Sequence, residues 1–122
     1  MMDFNETGAL AGSANDYCIL RDVLRFTLED FPGLLADIDT ALERENWPEV
    51  SRLSHKARGF AGACGAPRLS RMALELELSA KGGDANCVRF RHTLQAAFEA
   101  FRIHPRVIEL STLDVEKDVS LG

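Results

Sequence analysis

Apolar residues recur at steps of three and four along several stretches of this chain. On a helix, at about 100° per residue, this spacing places them on one side and predicts an amphipathic helix. The clearest stretch begins near Trp47, and no stretch alternates apolar and polar residues well enough for a strand. Its stripe consists of Val50, Leu53, Ala57, Phe60, Ala61 and Cys64. The pattern therefore predicts an all-helical protein.

This helix has a clear start and a clear end in the sequence. Asn46 can cap it, Pro48 fits the first turn, and Glu49 completes a capping-box spacing. Gly65 supplies a residue that tolerates the left-handed conformation found just after many helices. A helix is predicted over residues 47–64.

The preceding stretch predicts one long helix, from about residue 15 to 44, with Ser13 and Asp16 near its start. Pro32 and Gly33 interrupt the composition but not the phase, which favours a kinked continuous helix over a restart at Asp30. Its stripe is Leu20, Leu24, Thr27, Phe31, Leu34, Leu35, Ile38 and Leu42. Phe26 lies off this stripe, so it is either covered by the N-terminal segment or available to a partner.

Two more helices follow. One is predicted over residues 67–81, and the other runs from a cap at Asp84 to Arg102 or His104. Pro105 ends or kinks the last helix, with a kinked extension to about Leu110 as an alternative. Their core positions are Leu69, Met72, Ala73, Leu76 and Ala80, then Cys87, Phe90, Leu94, Ala97, Phe98 and Phe101.

Short connections between the long helices predict an antiparallel up-down-up-down four-helix bundle over residues 13–110. Residues 1–12 and 111–122 lack periodicity and are predicted to be flexible tails, the second of them acidic. Leu74 and Leu78 form an outward apolar pair, for which a contact at the bundle edge is favoured over a dimer seam. A monomer is the favoured state.

The charge balance excludes several classes of partner. The 122 residues carry a formal net charge of -5, with no run of lysine or arginine that would attract nucleic acid or an anionic membrane. No apolar run reaches the roughly 20 residues of a membrane span, and the N-terminus lacks the pattern of a signal peptide. A cytoplasmic protein is therefore expected.

The cysteine pattern fits neither a disulfide framework nor a metal site. Cys18, Cys64 and Cys87 are odd in number, widely spaced and without a C-x-x-C pair. Reduced thiols are expected, with Cys64 and Cys87 in the core.

The residues opposite the apolar stripe of the 47–64 helix carry the candidate chemistry. His55, Gly59 and Gly62 group on that side, and Arg58 lies on its flank. Each glycine costs a helix on the order of 1 kcal/mol relative to alanine, so close approach by another macromolecule is a better reason for them than helix stability. The neutral form of an exposed imidazole is a nucleophile at cellular pH.

These residues resemble the motif of histidine-containing phosphotransfer (HPt) domains, H-x-x-[K/R]-G-x-x-x-x-x-G, through His55, Arg58, Gly59 and Gly65. The resemblance covers roughly residues 17–104. This chain departs from the usual pattern in having Arg58 where lysine is commoner and Phe60 where a small polar residue is commoner.

The resemblance implies a phosphorelay intermediate that accepts a phosphoryl group from, and donates it to, the aspartate of response-regulator receiver domains. His55 would be the phospho-accepting residue and Arg58 would stabilise the phosphoryl group. The partners would be a receiver domain, a hybrid sensor histidine kinase, or both. The receiver would supply Mg²⁺, so the chain itself needs no cofactor and binds no metal. The candidate binding residues are Gly59, Gly62, Ser51 and Arg52.

Two other functions stay open. One is a helical adaptor that docks a receiver or another protein without being phosphorylated. A phosphatase is weaker, because the outward side around His55 shows no obvious acid or amide to orient water. The sequence has no nucleotide-binding glycine loop and no recognisable carboxylate cluster for Mg²⁺, so a phosphocarrier without kinase activity is expected rather than an enzyme.

The other histidines fit the motif poorly. His92 is followed by Gln95 and Ala96 where the cation and the glycine should be. His104 precedes Pro105 and is expected to interact with the last carbonyls of its helix.

Overall fold

The computed structural model describes residues 1–114, which form six helices and no strand within that range. The helices are α1 (Glu6–Gly12), α2 (Tyr17–Glu43), α3 (Trp47–Ala63), α4 (Pro67–Lys81), α5 (Cys87–Arg102) and α6 (Pro105–Ser111). The predicted all-helical class is confirmed. Most of the predicted C-terminal tail, residues 115–122, lies outside the described residues.

The predicted ends of α3 are confirmed by its caps. The side chain of Asn46 accepts a hydrogen bond from the Glu49 N–H at 3.3 Å, and Pro48 lies in the first turn. After the helix, Gly65 adopts φ +68°, the left-handed conformation in which a side chain is strained. The buried face of α3 is its apolar stripe, with Val50, Leu53, Ala57 and Ala61 all buried.

The long helix α2 runs through Pro32 without interruption, so the predicted continuous helix is confirmed and no restart occurs at Asp30. Its apolar stripe keeps one phase on both sides of the proline, and packing of that stripe offsets the lost backbone hydrogen bond. Asp16 caps the helix by accepting from the Cys18 and Ile19 N–H groups, which explains its start at Tyr17.

Helices adjacent in the chain pack against each other from α2 to α5, and α2 also contacts α5. The rings of Phe31 and Phe98 stack at a centroid distance of 4.6 Å across the α2–α5 contact. Most of the predicted core positions are buried, while Leu42, Phe60, Met72 and Phe90 are only partly buried.

The N-terminal segment differs from the expected flexible tail of residues 1–12, because it contains α1 and packs on the bundle. Phe4 and Ala9 are buried, and Asn5 caps α1 by accepting from the Gly8 N–H. The Asn5 N–H also donates to the carbonyl of Gly65 at 2.8 Å. Two buried apolar residues and the backbone hydrogen bond to Gly65 hold the segment on the bundle, although it is too short to show a helical period.

The predicted end of α5 at Arg102 is confirmed, and the alternative of a kinked extension to Leu110 is wrong, because α6 is a separate helix with its own cap. His104 Nδ1 accepts from the Arg106 N–H at 3.2 Å, so His104 caps α6 rather than serving the last carbonyls of α5. Val107 and Leu110 are buried in a helix that packs on α2. Arg106 forms an ion pair with Glu6, which joins α6 to α1.

The expected cap of α5 is wrong. The helix begins at Cys87, and the carboxylate of Asp84 accepts from the Asn86 N–H at 2.9 Å within the preceding loop. Asn86 takes the cap position without a side-chain hydrogen bond to the helix.

Three more predictions concern membrane spans, the cysteines and the apolar pair on α4. No helix within residues 1–114 is long and apolar enough to cross a membrane. All three cysteines have free thiols, and Cys64 and Cys87 are buried as expected. In the outward pair on α4, Leu78 is 57% exposed and Leu74 is half-buried, which leaves the choice between an edge contact and a dimer seam a prediction.

Candidate functional site

Helix α3 presents His55 to solvent about midway along its length. The His55 side chain is 64% exposed, whereas Leu53, Ser54 and Ala57 around it are buried. The hydroxyl of Ser54 donates to the Val50 carbonyl at 2.7 Å, so this buried polar group is satisfied within the helix. The predicted exposure of His55 is confirmed.

Bare backbone lies beside the histidine, one and two turns further along α3. Gly59 and Gly62 are exposed, and a Cβ added at either would meet nothing within 4 Å. Packing within the described residues therefore gives no reason for these two glycines.

The last glycine of the motif has a different role. A Cβ on Gly65 would lie 2.5 Å from the Cβ of Ala9 and 2.7 Å from the carbonyl oxygen of Asn5. Because Gly65 also has φ +68°, both its conformation and the packing of α1 exclude a side chain there. Gly65 is a structural residue.

Glu77 on α4 contacts the histidine and was missed by the sequence reasoning. Its Oε2 lies 3.2 Å from His55 Nδ1, and its side chain is only 6% exposed. This acid comes from α4 and is buried, so it does not lie on the outward side of α3 that the sequence described. Its position in the sequence could have revealed it. Glu77 falls between Ala73 and Ala80 on the apolar stripe of α4, where a charged residue needs a partner.

Two cations share this buried carboxylate. Lys81 Nζ lies 3.2 Å from Glu77 Oε2, and Arg58 Nη1 lies 3.6 Å from Glu77 Oε1. The Arg58 and Lys81 side chains are 35% and 59% exposed, so both can move while Glu77 is held by its surroundings. One carboxylate thus faces the imidazole and two positive charges.

The contacts at Nδ1 indicate which ring nitrogen carries the proton. Arg58 Nη2 also approaches His55 Nδ1, at 3.0 Å, but Nδ1 cannot both donate to Glu77 and accept from Arg58. An ionised carboxylate can only accept, and Glu77 is buried, whereas the more exposed Arg58 can turn toward Glu77 instead. A proton on Nδ1 is therefore the better assignment, and it leaves the lone pair on Nε2.

The remaining predicted binding residues lie on opposite flanks of α3. Ser51 lines a cavity of about 410 Å³ together with Trp47 and Lys81, on the side of α4. Arg52 Nε donates to Glu49 Oε2 at 3.0 Å and borders a different cavity, on the side of α2. The structure therefore does not bring Ser51 and Arg52 together.

An apolar rim borders the site toward α2. Phe26 is 52% exposed, and its ring lies 5.6 Å from the ring of Phe60, next to Gly59 in the chain. Lys56 Nζ lies 5.9 Å from the centroid of the Phe60 ring. Phe26 is therefore partly covered by Phe60 of α3, and its availability to a partner stays a prediction.

The other histidines lie elsewhere. His92 is exposed on α5, and His104 caps α6. Within residues 1–114 no group of three or more His, Cys, Asp or Glu residues is placed to hold a metal ion.

Comparison with protein families gave a match over the part of the chain that contains His55 and Glu77. The family model of the Hpt domain matches residues 22–104. The chain belongs to the Hpt domain family. No curated protein and no solved structure matched the chain. The matched part of this Hpt domain includes α3, α4, α5 and most of α2, whereas α1 and α6 lie outside it.

Membership places the chain in a known class of proteins. Hpt domains are phosphocarriers rather than kinases, they take part in two-component signalling, and they interact with receiver domains and kinases.

Proposed function

We propose that this Hpt domain is a phosphorelay intermediate that carries a phosphoryl group on His55 between the aspartates of response-regulator receiver domains. The observation that supports the proposal best is the exposed imidazole, whose Nδ1 is 3.2 Å from the buried Glu77 carboxylate beside the bare backbone of Gly59. A hybrid sensor kinase that carries such a receiver is a second possible source of the phosphoryl group.

The transfer step follows from the proton assignment. The Nε2 lone pair attacks the phosphorus of the receiver's aspartyl phosphate, an N–P bond forms, and the P–O bond breaks with its electron pair left on the aspartate. The ring, still protonated on Nδ1, gains positive charge, which the Glu77 carboxylate stabilises. Donation to the next receiver is the reverse.

The neighbouring residues would divide the remaining work. Arg58 would neutralise charge on the phosphoryl oxygens, and Gly59 and Gly62 would let the receiver's surface come close to α3. Ser51 and Arg52 would contact the receiver on either side of the histidine. We expect the receiver to bring the Mg²⁺ ion.

The proposed scaffold is an up-down-up-down bundle of α2 to α5. The connections between these helices, residues 44–46, 64–66 and 82–86, are short, which favours antiparallel neighbours. Such a carrier would act as a monomer in the cytoplasm together with its receiver.

The test is transfer of radiolabelled phosphate from a panel of phosphorylated receivers, with His55→Gln as the control. We expect label on the wild-type protein that is stable in alkali and labile in acid, as phosphohistidine is, and no label on His55→Gln. Binding without label would support the adaptor function instead. Release of free phosphate would support a phosphatase, for which Glu77, at 6% exposure, is poorly placed to reach water in a partner.

A further inference from the structure

We infer that Lys81 of α4 is a second cation that binds the phosphoryl group on His55, together with Arg58. This inference rests on the proposed function. The motif that predicts Arg58 lies wholly in the region of α3, so a cation from α4 is not part of it.

Lys81 belongs to the site by its position. Its Nζ lies 3.2 Å from Glu77 Oε2, the same oxygen that lies 3.2 Å from His55 Nδ1. The ammonium group is therefore within two hydrogen-bond lengths of the imidazole. Its side chain is 59% exposed and has four rotatable carbon bonds, so the ammonium can reach around the ring toward a group on Nε2.

The charges around Glu77 leave room for an anion. One carboxylate faces both Lys81 and Arg58, so the cluster has a surplus positive charge whenever the imidazole is neutral or protonated. Glu77 Oε1 makes no hydrogen bond among the described residues, which shows that the carboxylate does not hold Arg58 in ideal geometry. A phosphoryl group adds roughly two negative charges and strong acceptor oxygens. Both cations can then exchange Glu77 for the phosphoryl oxygens.

The ordinary explanation of Lys81 is an ion pair on a helix surface, in the last turn of α4 where a cation suits the helix dipole. The pair Arg71–Glu75 on the same helix is of that ordinary kind, with side chains 55% and 32% exposed. The carboxylate of the Lys81–Glu77 pair is instead 6% exposed and in contact with the histidine. Arg71 therefore provides a matched control.

The experiment compares Lys81→Gln, Lys81→Arg and Arg71→Gln with the wild type. Each protein is mixed with one phosphorylated receiver, and the share of label on each partner at equilibrium and the lifetime of the phosphohistidine are measured. We expect Lys81→Gln to shift the equilibrium toward the receiver by about tenfold, with Lys81→Arg close to wild type. We expect Arg71→Gln to change nothing.

A second measurement uses the unaltered sequence. The ¹³Cε–¹H signals of Lys81 should shift when phosphoramidate phosphorylates His55, whereas the signals of Lys56 should shift less. Unchanged Lys81 signals, or an equilibrium in Lys81→Gln equal to that in Arg71→Gln, would overturn the role of Lys81 while His55 remains labelled. Absence of label on His55 in the wild type would instead overturn the proposed function itself.

Discussion

Replacing Gly59 by leucine separates a histidine that is merely exposed from one that a receiver must approach. Gly59 lies one turn from His55 on α3, and a Cβ there would meet nothing within 4 Å. The rest of a leucine side chain can extend into solvent from the same position. The change should therefore cost the folded protein no packing.

Its effect on stability can be estimated from helix propensity. Leucine is favoured over glycine by up to about 1 kcal/mol within a helix. For a domain of this size such a gain raises the melting temperature by roughly 4 °C. A thermal melt followed by circular dichroism measures this shift.

Its effect on transfer should have the opposite sign. A leucine side chain on the docking face would hold the receiver's aspartyl phosphate away from Nε2, and a displacement of about 1 Å can slow a reaction roughly 100-fold. We expect at least that loss in transfer from the receiver. Labelling of His55 by phosphoramidate, where it occurs in the wild type, should stay within about twofold because this donor is small.

Ala96→Leu is the matched control, since it adds an exposed leucine to α5, which packs mainly on α4 and α2. It should leave transfer unchanged. If Gly59→Leu melts well below the wild type, Gly59 is a packing residue and the reasoning from open backbone fails. If Gly59→Leu accepts phosphate from the receiver at the normal rate, the face around His55 is not the docking face.

Three further predictions test other parts of the site and fold. Arg58→Ala should slow transfer about tenfold, equivalent to about 1.4 kcal/mol, and change the free energy of unfolding by no more than about 1 kcal/mol. The effect of Arg58→Lys should be mild. Timed transfer assays and denaturant titration measure the two quantities, and an unchanged transfer rate in Arg58→Ala would show that Arg58 is only a surface residue. Burial raises the pKa of the Cys64 thiol to about 12, so in the native protein at pH 8 a thiol reagent should modify the half-buried Cys18 well before Cys64. Equal rates of modification would show that the core around α3 opens easily. The hydrogen bond from Arg106 lowers the pKa of Glu6 below 4.5, so the stability that Glu6 contributes is present above pH 4.5 and lost as the pH falls through its folded-state pKa. The difference in denaturation midpoint between wild type and Glu6→Gln should therefore be present at pH 7 and shrink below pH 4.5. A difference that stays constant with pH would refute this linkage.

Local signals along the chain were enough to predict α3 and its exposed histidine. The cap at Asn46, the proline in the first turn and the glycine at position 65 each act within a few residues, and the structure confirms all three. The unbroken phase of α2 likewise predicted its continuity through Pro32. These features depend on residues within one helix or at its ends, which the sequence shows directly.

Contacts between distant parts of the chain could not be predicted in the same way. Glu77 meets His55 across the α3–α4 contact, and nothing local to Glu77 says that its buried side faces an imidazole. The N-terminal segment is held by the buried Phe4 and by the hydrogen bond from Asn5 to Gly65. Its apolar positions are too few to form a pattern. Gly65 shows the same limit, because its motif position was visible and its packing against α1 was not.

In the proposed transfer, Nε2 of His55 carries the phosphoryl group while Glu77 holds the proton on Nδ1. The most direct measurement is ¹H–¹⁵N NMR of the imidazole nitrogens after phosphorylation by a receiver. We expect one modified histidine, His55, phosphorylated on Nε2 and protonated on Nδ1. Phosphate on Nδ1 of His55, or on His92 or His104, would contradict it.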